Sequence, residues 1–236
     1  LLLLEVDGKF FDLVLNSKAE FYPDKAVYRG HTEYFTSIVS VFVSQKGCCK
    51  KISLELEWLS KESNCRIAFY TEPVLSVSRD NSRLIIFDFY KDSLIAKNMA
   101  RNDIEGYMAL SCSEDCIQIT DRQAFLCGKF DEKSLSSQNN PCAALVCKKK
   151  LSKKSKTKMD FFLSFGKTKD SAVMMPKLFR EGSYELLNVF KINTPDDELN
   201  KFFNTWLFHQ TVAGRIFAKT GFYQNSGAWG FRDQLQ

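Results

Sequence analysis

Residues 194–236, TPDDELNKFFNTWLFHQTVAGRIFAKTGFYQNSGAWGFRDQLQ, decide how the chain is organised. Thr194, Pro195 and Asp197 read as a helix start: a hydroxyl to cap, a proline at the first helical position and a carboxylate three residues after the cap. Leu199, Phe202, Phe203, Trp206, Leu207, Gln210, Ala213, Ile216 and Phe217 then follow the i, i+3, i+4, i+7 spacing of one apolar face. Lys201, Asn204 and Thr211 fall elsewhere, and Lys219 with Gly221 supplies the stop.

After that stop comes a loop dense in sugar-binding chemistry. It carries Tyr223, Gln224, Asn225, Ser226, Trp229, Arg232, Asp233 and Gln234, with Gly227 and Gly230 allowing tight turns. A carboxylate accepts hydrogen bonds from neighbouring hydroxyls, a guanidinium donates a fork, and an indole covers the apolar face of a pyranose. Residue type alone also fits a structural role, with Asp233 capping a helix that begins at Gln234, Arg232 paired to a carboxylate and Trp229 in a core.

The wider match separates these alternatives. The segment from Phe202 to Gln236, with the complete run GFRDQLQ, resembles the first barrel helix and following loop of glycoside hydrolase family 94. That family comprises inverting glycoside phosphorylases and the phosphorylase-like domain of cyclic β-1,2-glucan synthase. The pattern Asn140 to Leu145 and the strand ending at Phe165-Gly166 look like the close of the family's N-terminal sandwich. The resemblance implies that Arg232 and Asp233 match the pair whose Asp contacts the glucosyl unit beside the cleaved bond. Tyr223, Gln224, Trp229 and Gln234 are candidates for the same wall. Cellobiose-type members carry an arginine six residues before that Asp, where this chain has Gly227. The SGAWGFRDQLQ form resembles the β-1,2-glucan branch instead.

The first ~165 residues read as strands joined by turns. Asp7-Gly8 is a hairpin signal ahead of Phe10 to Leu15, and Tyr34 to Val43 is a long β-branched and aromatic run. Ile52, Leu54, Leu56 and Trp58 alternate with Lys51, Ser53, Glu55 and Glu57, so one face is buried and the other is wet. Further strands are expected over 66–71, 84–90, 107–110, 117–119, 124–127, 143–147 and 159–165. Short strands without crossover helices imply antiparallel sheets packed face to face.

Residues 128–141 form one long polar loop, expected to be mobile. The lysines from Lys148 to Lys158 are expected on the solvated face of two edge strands and their turn. Residues 173–190 read as a linker helix, beginning near Pro176 and interrupted at Gly182.

The fold class is therefore mainly β with a helical C-terminus. The resemblance makes residues 1–168 a large β-sandwich of the galactose-mutarotase-like super-sandwich kind and 169–193 a helical linker. It makes residues 194–236 the start of an (α/α)6 catalytic barrel.

A net charge of +5, from 33 basic and 28 acidic residues, is too balanced to imply nucleic acid. LLLL followed by Glu5 is too short for a signal peptide or membrane span, so no membrane contact is expected of this segment. With no initiator methionine and an end one turn into a new element, the sequence reads as a fragment. The eight cysteines give one C-x-x-x-C and one adjacent pair, without paired C-x-x-C runs, and the histidines are His31 and His209. Reduced, mostly buried thiols and no metal are the expectation.

The implied activity is phosphorolysis of β-linked glucans to α-glucose 1-phosphate. Inorganic phosphate is the co-substrate, no cofactor is needed, the location is the cytoplasm, and the full-length protein is a homodimer. The family's general-acid Asp falls downstream of Gln236. The alternative is a non-catalytic carbohydrate-binding β-sandwich module. Leu199, Phe202, Phe203, Trp206, Leu207, Val212, Ile216 and Phe217 weigh against that module, because they represent roughly 12–24 kcal/mol of burial at about 1.5–3 kcal/mol each. A self-contained lectin has no use for such a surface.

Overall fold

The computed structural model describes residues 1–22, 24–76, 84–100, 105–130, 141–182, 191–207 and 210. Contacts divide the chain into two compact units, residues 1–181 and 182–236.

In the first unit the period-two pattern becomes strands that all pair antiparallel. Among the described residues these are β1 (Leu2–Val6), β2 (Lys9–Asp12), β3 (Lys18–Phe21), β4 (Lys25–His31), β5 (Phe35–Val43), β6 (Cys48–Trp58) and β7 (Ser63–Thr71). They continue with β8 (Ile85–Tyr90), β9 (Ser93–Asn98), β10 (Tyr107–Cys112), β11 (Ile117–Ile119), β12 (Ala143–Leu151) and β13 (Lys156–Gly166). A five-stranded sheet runs β11-β12-β7-β1-β2 and an eight-stranded sheet runs β3-β4-β5-β6-β13-β10-β9-β8.

The main core lies between the inner faces of these sheets. Leu4, Ile67 and Leu145 from one sheet meet Val39, Leu54, Leu110 and Phe161 from the other, each at most 1% exposed. This is the expected sandwich. The alternation read on β6 is met with one exception: Ile52, Leu54, Leu56 and Trp58 are buried, Glu55 is exposed and Lys51 and Glu57 half-buried, but Ser53, expected on the wet face, is buried between Ser40 of β5 and Asp160 of β13. Asp7 and Gly8, at φ 50° and 76°, turn β1 into β2 so that Val6 pairs with Lys9. Two positive φ values are what a two-residue hairpin turn demands, and they follow the right-handed twist of the strands.

Two short helices cover outer faces. α1 (Arg122–Leu126) occupies part of the stretch expected as a strand over 124–127. Asp121 overrides that propensity, because its carboxylate accepts the Ala124 N–H at 3.0 Å and caps the turn. Phe125 then packs with Phe130, Ile119, Ala144 and Val146, so β12 is buried on both faces from Ala143 to Cys147. α2 (Lys169–Met174) begins earlier than the expected linker helix and passes into a 3-10 turn over Met175–Leu178. Its start is set by a capping box: Ser171 N–H donates to Thr168 Oγ1 at 3.1 Å and Thr168 N–H donates to Ser171 Oγ at 2.9 Å. Residues 179–182 are not helical, since Phe179 turns to an extended ψ of 131° and ends the 3-10 turn, so the expected helix stops short there. Residues 183–190 of it lie outside the described residues, as do 131–140 of the polar loop.

The lysine run differs from expectation in one respect. β12 is flanked beyond Cys147 by β7 alone, but β13 is an interior strand between β6 and β10. The charges are accommodated by cross-strand and neighbouring glutamates: Lys158 to Glu55 at 2.9 Å, Lys149 to Glu114 at 3.1 Å and Lys150 to Glu62 at 2.7 Å.

α2 sits directly on the end of β13. A Cβ added at Gly166 would lie 2.4 Å from Ser171 Oγ and 2.5 Å from the Ala172 backbone nitrogen. Gly166→Ala is expected to displace α2 and lower unfolding stability by about 1–3 kcal/mol. An unchanged chemical-denaturation midpoint would contradict that close approach.

Candidate functional site

The predicted carbohydrate wall, Tyr223, Gln224, Trp229, Arg232, Asp233 and Gln234, lies outside the described residues. The segment that leads to it is described. In the second unit, α3 (Asp197–Lys201) widens into a π-helical turn over Phe202–Leu207. Its cap is Asp196 rather than Thr194. The Asp196 carboxylate accepts from Glu198 N–H at 2.9 Å and Leu199 N–H at 3.1 Å.

Thr194 is engaged instead by Asn200, and the preceding segment is clamped twice. The Asn200 side chain accepts from Thr194 N–H and donates to Thr194 C=O, both at 2.8 Å. Asn204 repeats the arrangement on Ile192, at 2.7 and 2.8 Å. Each amide thus presents a donor and an acceptor to the backbone of one residue, as a paired strand would. Sequence periodicity identified Asn204 only as off the apolar face. The apolar face itself is partly exposed: Leu199, Phe202, Trp206 and Leu207 retain 36–46% of their accessible surface.

In the first unit, polar and aromatic groups converge at one end of the sandwich. Glu5 anchors the Asp7-Gly8 turn by accepting the Gly8 N–H at 2.8 Å, and it pairs with Arg66 at 3.0 Å. Beside this turn, a cleft of about 250 Å³ is lined by Asp7, Lys9, Phe11, Tyr34, Trp58 and Lys61, among others. Lys9 Nζ lies 5.4 Å from the centre of the Tyr34 ring, and the Trp58 indole donates to Lys61 C=O at 2.6 Å. An aromatic face beside a carboxylate and ammonium groups suits the mixed apolar and hydroxyl surface of a sugar. No sequence motif signals this cleft, because its lining comes from several separate turns.

A further cluster closes the edge near α1. Arg122 Nε donates to Glu72 at 2.8 Å, and the Tyr70 hydroxyl donates to the same carboxylate. Burial, then the Glu72 carboxylate, push the Tyr70 phenol above its ordinary value, and Glu72 likewise raises Arg122. With two donors on it, Glu72 is committed to holding α1 on the sheet.

The structure departs from the expectation for the cysteines. Cys116 and Cys147, separated by 31 residues, are joined as a disulfide. Sequence spacing carries no trace of this, since β11 pairing with β12 in the register Ile117 to Val146 sets Cys116 opposite Cys147. Among the described residues, Cys112, Cys116 and Cys147 also form the one cluster with metal-ligand spacing.

With fold and geometry established, known proteins supply a comparison. The chain is 28% identical over 201 residues to the cyclic β-(1,2)-glucan synthase NdvB of Rhizobium meliloti (strain 1021). It resembles a glucan synthase. The match takes in 72% of this chain and 7% of that protein, so the chain spans a small part of its relative's length. The resemblance read from the terminal motif is borne out by this match. Among solved structures, a bacterial glucoamylase complexed with acarbose aligns with a TM-score of 0.51 at 14% identity, covering 91% of this chain and 31% of that one. That likeness is one of fold. No family model matches the chain. No helix among the described residues is long and apolar enough to cross a membrane.

The asparagine clamp carries its own test. Asn200→Ala with Asn204→Ala is expected to raise amide exchange at Ile192 and Thr194 about fivefold or more, equivalent to roughly 1 kcal/mol per lost hydrogen bond. Exchange in the sandwich strands should not change. Unaltered exchange at both amides would show that the clamp does not hold in solution.

Proposed function

We propose that the chain is the N-terminal part of an inverting glycoside phosphorylase that acts on β-linked glucans, with β-1,2-glucooligosaccharides as first choice. The observation that carries this reading is the similarity to a cyclic β-(1,2)-glucan synthase over 72% of the chain, together with the terminal run GFRDQLQ. The partly exposed row Leu199, Phe202, Trp206 and Leu207 supports it, since a barrel helix needs such a face and an isolated binding module does not.

The chemistry is economical in groups. An inverting hydrolase needs one acid for the leaving oxygen and one base to activate water. Phosphate is already an anion, so an acid and a phosphate-holding pocket suffice. A phosphate oxygen bonds to the anomeric carbon as the glycosidic carbon–oxygen bond breaks. The leaving oxygen takes the acid's proton, and inversion converts a β-linked donor to α-glucose 1-phosphate. In this reading Arg232 and Asp233 hold the glucosyl unit next to the broken bond, Trp229 and Tyr223 face its apolar surface, and Gln224 and Gln234 bond its hydroxyls. The acid is supplied from beyond Gln236, no cofactor takes part, and the whole protein acts as a cytoplasmic homodimer.

The cleft beside Tyr34 and Asp7 favours a second reading, a carbohydrate-binding sandwich without catalysis. One assay separates the two. The contiguous protein, carrying the residues beyond Gln236, should release glucose 1-phosphate from β-1,2-glucooligosaccharides in a phosphate-dependent manner. Asp233→Ala should lower kcat/KM by roughly 100-fold, about 3 kcal/mol. Sugar binding without phosphate consumption would leave the binding-module reading in its place.

A further inference from the structure

The C-x-x-x-C pair Cys112 and Cys116 meets a distant third cysteine, Cys147, between the sheets. Cys112 ends β10 in the eight-stranded sheet, Cys116 immediately precedes β11, and Cys147 lies on β12 in the five-stranded sheet. Their sulfurs all lie within 4.8 Å of one another. Cys116 and Cys147 are bonded, with Cα atoms 4.4 Å apart, and Cys112 Sγ stands 3.7 Å from Cys147 Sγ.

That last distance is informative. Zinc–thiolate bonds of about 2.3 Å at a tetrahedral angle put neighbouring sulfurs about 3.8 Å apart. The 3.7 Å between Cys112 and Cys147 matches the spacing two ligands of one ion would have, and cleaving the disulfide frees Cys116 as a third. Cys147 is buried, while Cys112 and Cys116 are half-buried.

We propose that Cys112, Cys116 and Cys147 form a redox-gated site for one thiophilic cation of the zinc class. The site is closed while the Cys116–Cys147 disulfide stands and opens on reduction by a dithiol. In the opening step the disulfide takes two electrons and two protons, giving two thiols, and the dithiol becomes a disulfide. The cation then replaces three thiol protons, which leave to solvent, and water completes its coordination. The two states differ mechanically. The disulfide closes only the β11–β12 edge, whereas the cation ties Cys112 of one sheet to Cys147 of the other.

Cobalt(II) is the probe. The 236-residue chain, reduced with dithiothreitol and then freed of it under argon, is titrated with Co²⁺ beside unreduced protein. The expected result is a one-to-one thiolate-to-cobalt charge-transfer band in the reduced chain alone, abolished by added Zn²⁺. Cys112→Ser should weaken Co²⁺ binding at least about 100-fold, since loss of supporting groups alone costs 10- to 100-fold. Cys127→Ser, an exposed cysteine outside the cluster, should leave binding unchanged. No band after reduction, an equal band without reduction, or unchanged affinity in Cys112→Ser would overturn the proposal. Should Cys112→Ser fail to fold by circular dichroism, X-ray absorption of the zinc-loaded wild-type chain decides. Three sulfurs at about 2.3 Å uphold the site and fewer than three refute it.

Discussion

Everything in the first unit depends on one constraint: a sheet with a continuous apolar inner face is stable in water only when a second sheet covers it. The inward rows of β5, β6, β13, β10 and β9 contribute Val39, Leu54, Phe161, Leu110 and Leu94, and those of β1, β7 and β12 contribute Leu4, Ile67 and Leu145. Because side chains alternate with period two, this inward row fixes the register of strands such as β5 and β6, where a slip by one residue would turn a whole row outward. β13 is the hinge of the larger sheet, pairing with β6 along one side and β10 along the other. It thereby joins strands that lie far apart in sequence.

Once the inner faces are matched, the outer faces decide where the helices go. The outer row Ala68, Ala144 and Val146 is small and apolar, and α1 covers it through Phe125. On the other sheet Ala172 of α2 packs on Ile95 and Ala109, and Ser164 donates to the Ala172 carbonyl at 2.8 Å. Charges hold the same helix from its rim. Asp170 accepts from Tyr90 at 2.7 Å and from Lys91 at 2.8 Å, and these groups, Lys91 foremost, hold its carboxyl below the ordinary value. The sandwich thus ends in a well-anchored helix. The second unit has a different economy, in which two asparagines bind the segment before α3 and the apolar face of the helix stays partly open.

Legibility followed the range of the physics. Alternation on β6 and the Asp7-Gly8 turn are local signals, and both read through to the structure. The strands Lys25–His31 and Ser93–Asn98 were not anticipated, because their polar and apolar residues do not alternate cleanly, and Lys18–Phe21 alternates over four residues only, none of them buried; pairing with neighbours defines all three. α1 and the start of α2 hinge on single caps, Asp121 and Thr168, that short windows of propensity overlook. The Cys112, Cys116 and Cys147 cluster was legible only in part. Cys112 and Cys116 are the C-x-x-x-C of the sequence, but Cys147 joins them through the β11–β12 register, which no spacing rule encodes. The loop with Arg232 and Asp233 was the most legible part of the chain for function. Its reading rests on residue chemistry and resemblance, since it falls outside the described residues.

In the proposed function this loop, rather than the sandwich, grips the glucosyl unit that reacts. A crystal structure of the contiguous protein with a β-1,2-linked glucose disaccharide and phosphate tests it most directly. The account predicts the Asp233 carboxylate within hydrogen-bond distance of the non-reducing glucosyl hydroxyls, with Arg232 beside it. A disaccharide seated solely in the cleft lined by Asp7 and Tyr34, with Asp233 turned away from sugar, would contradict it.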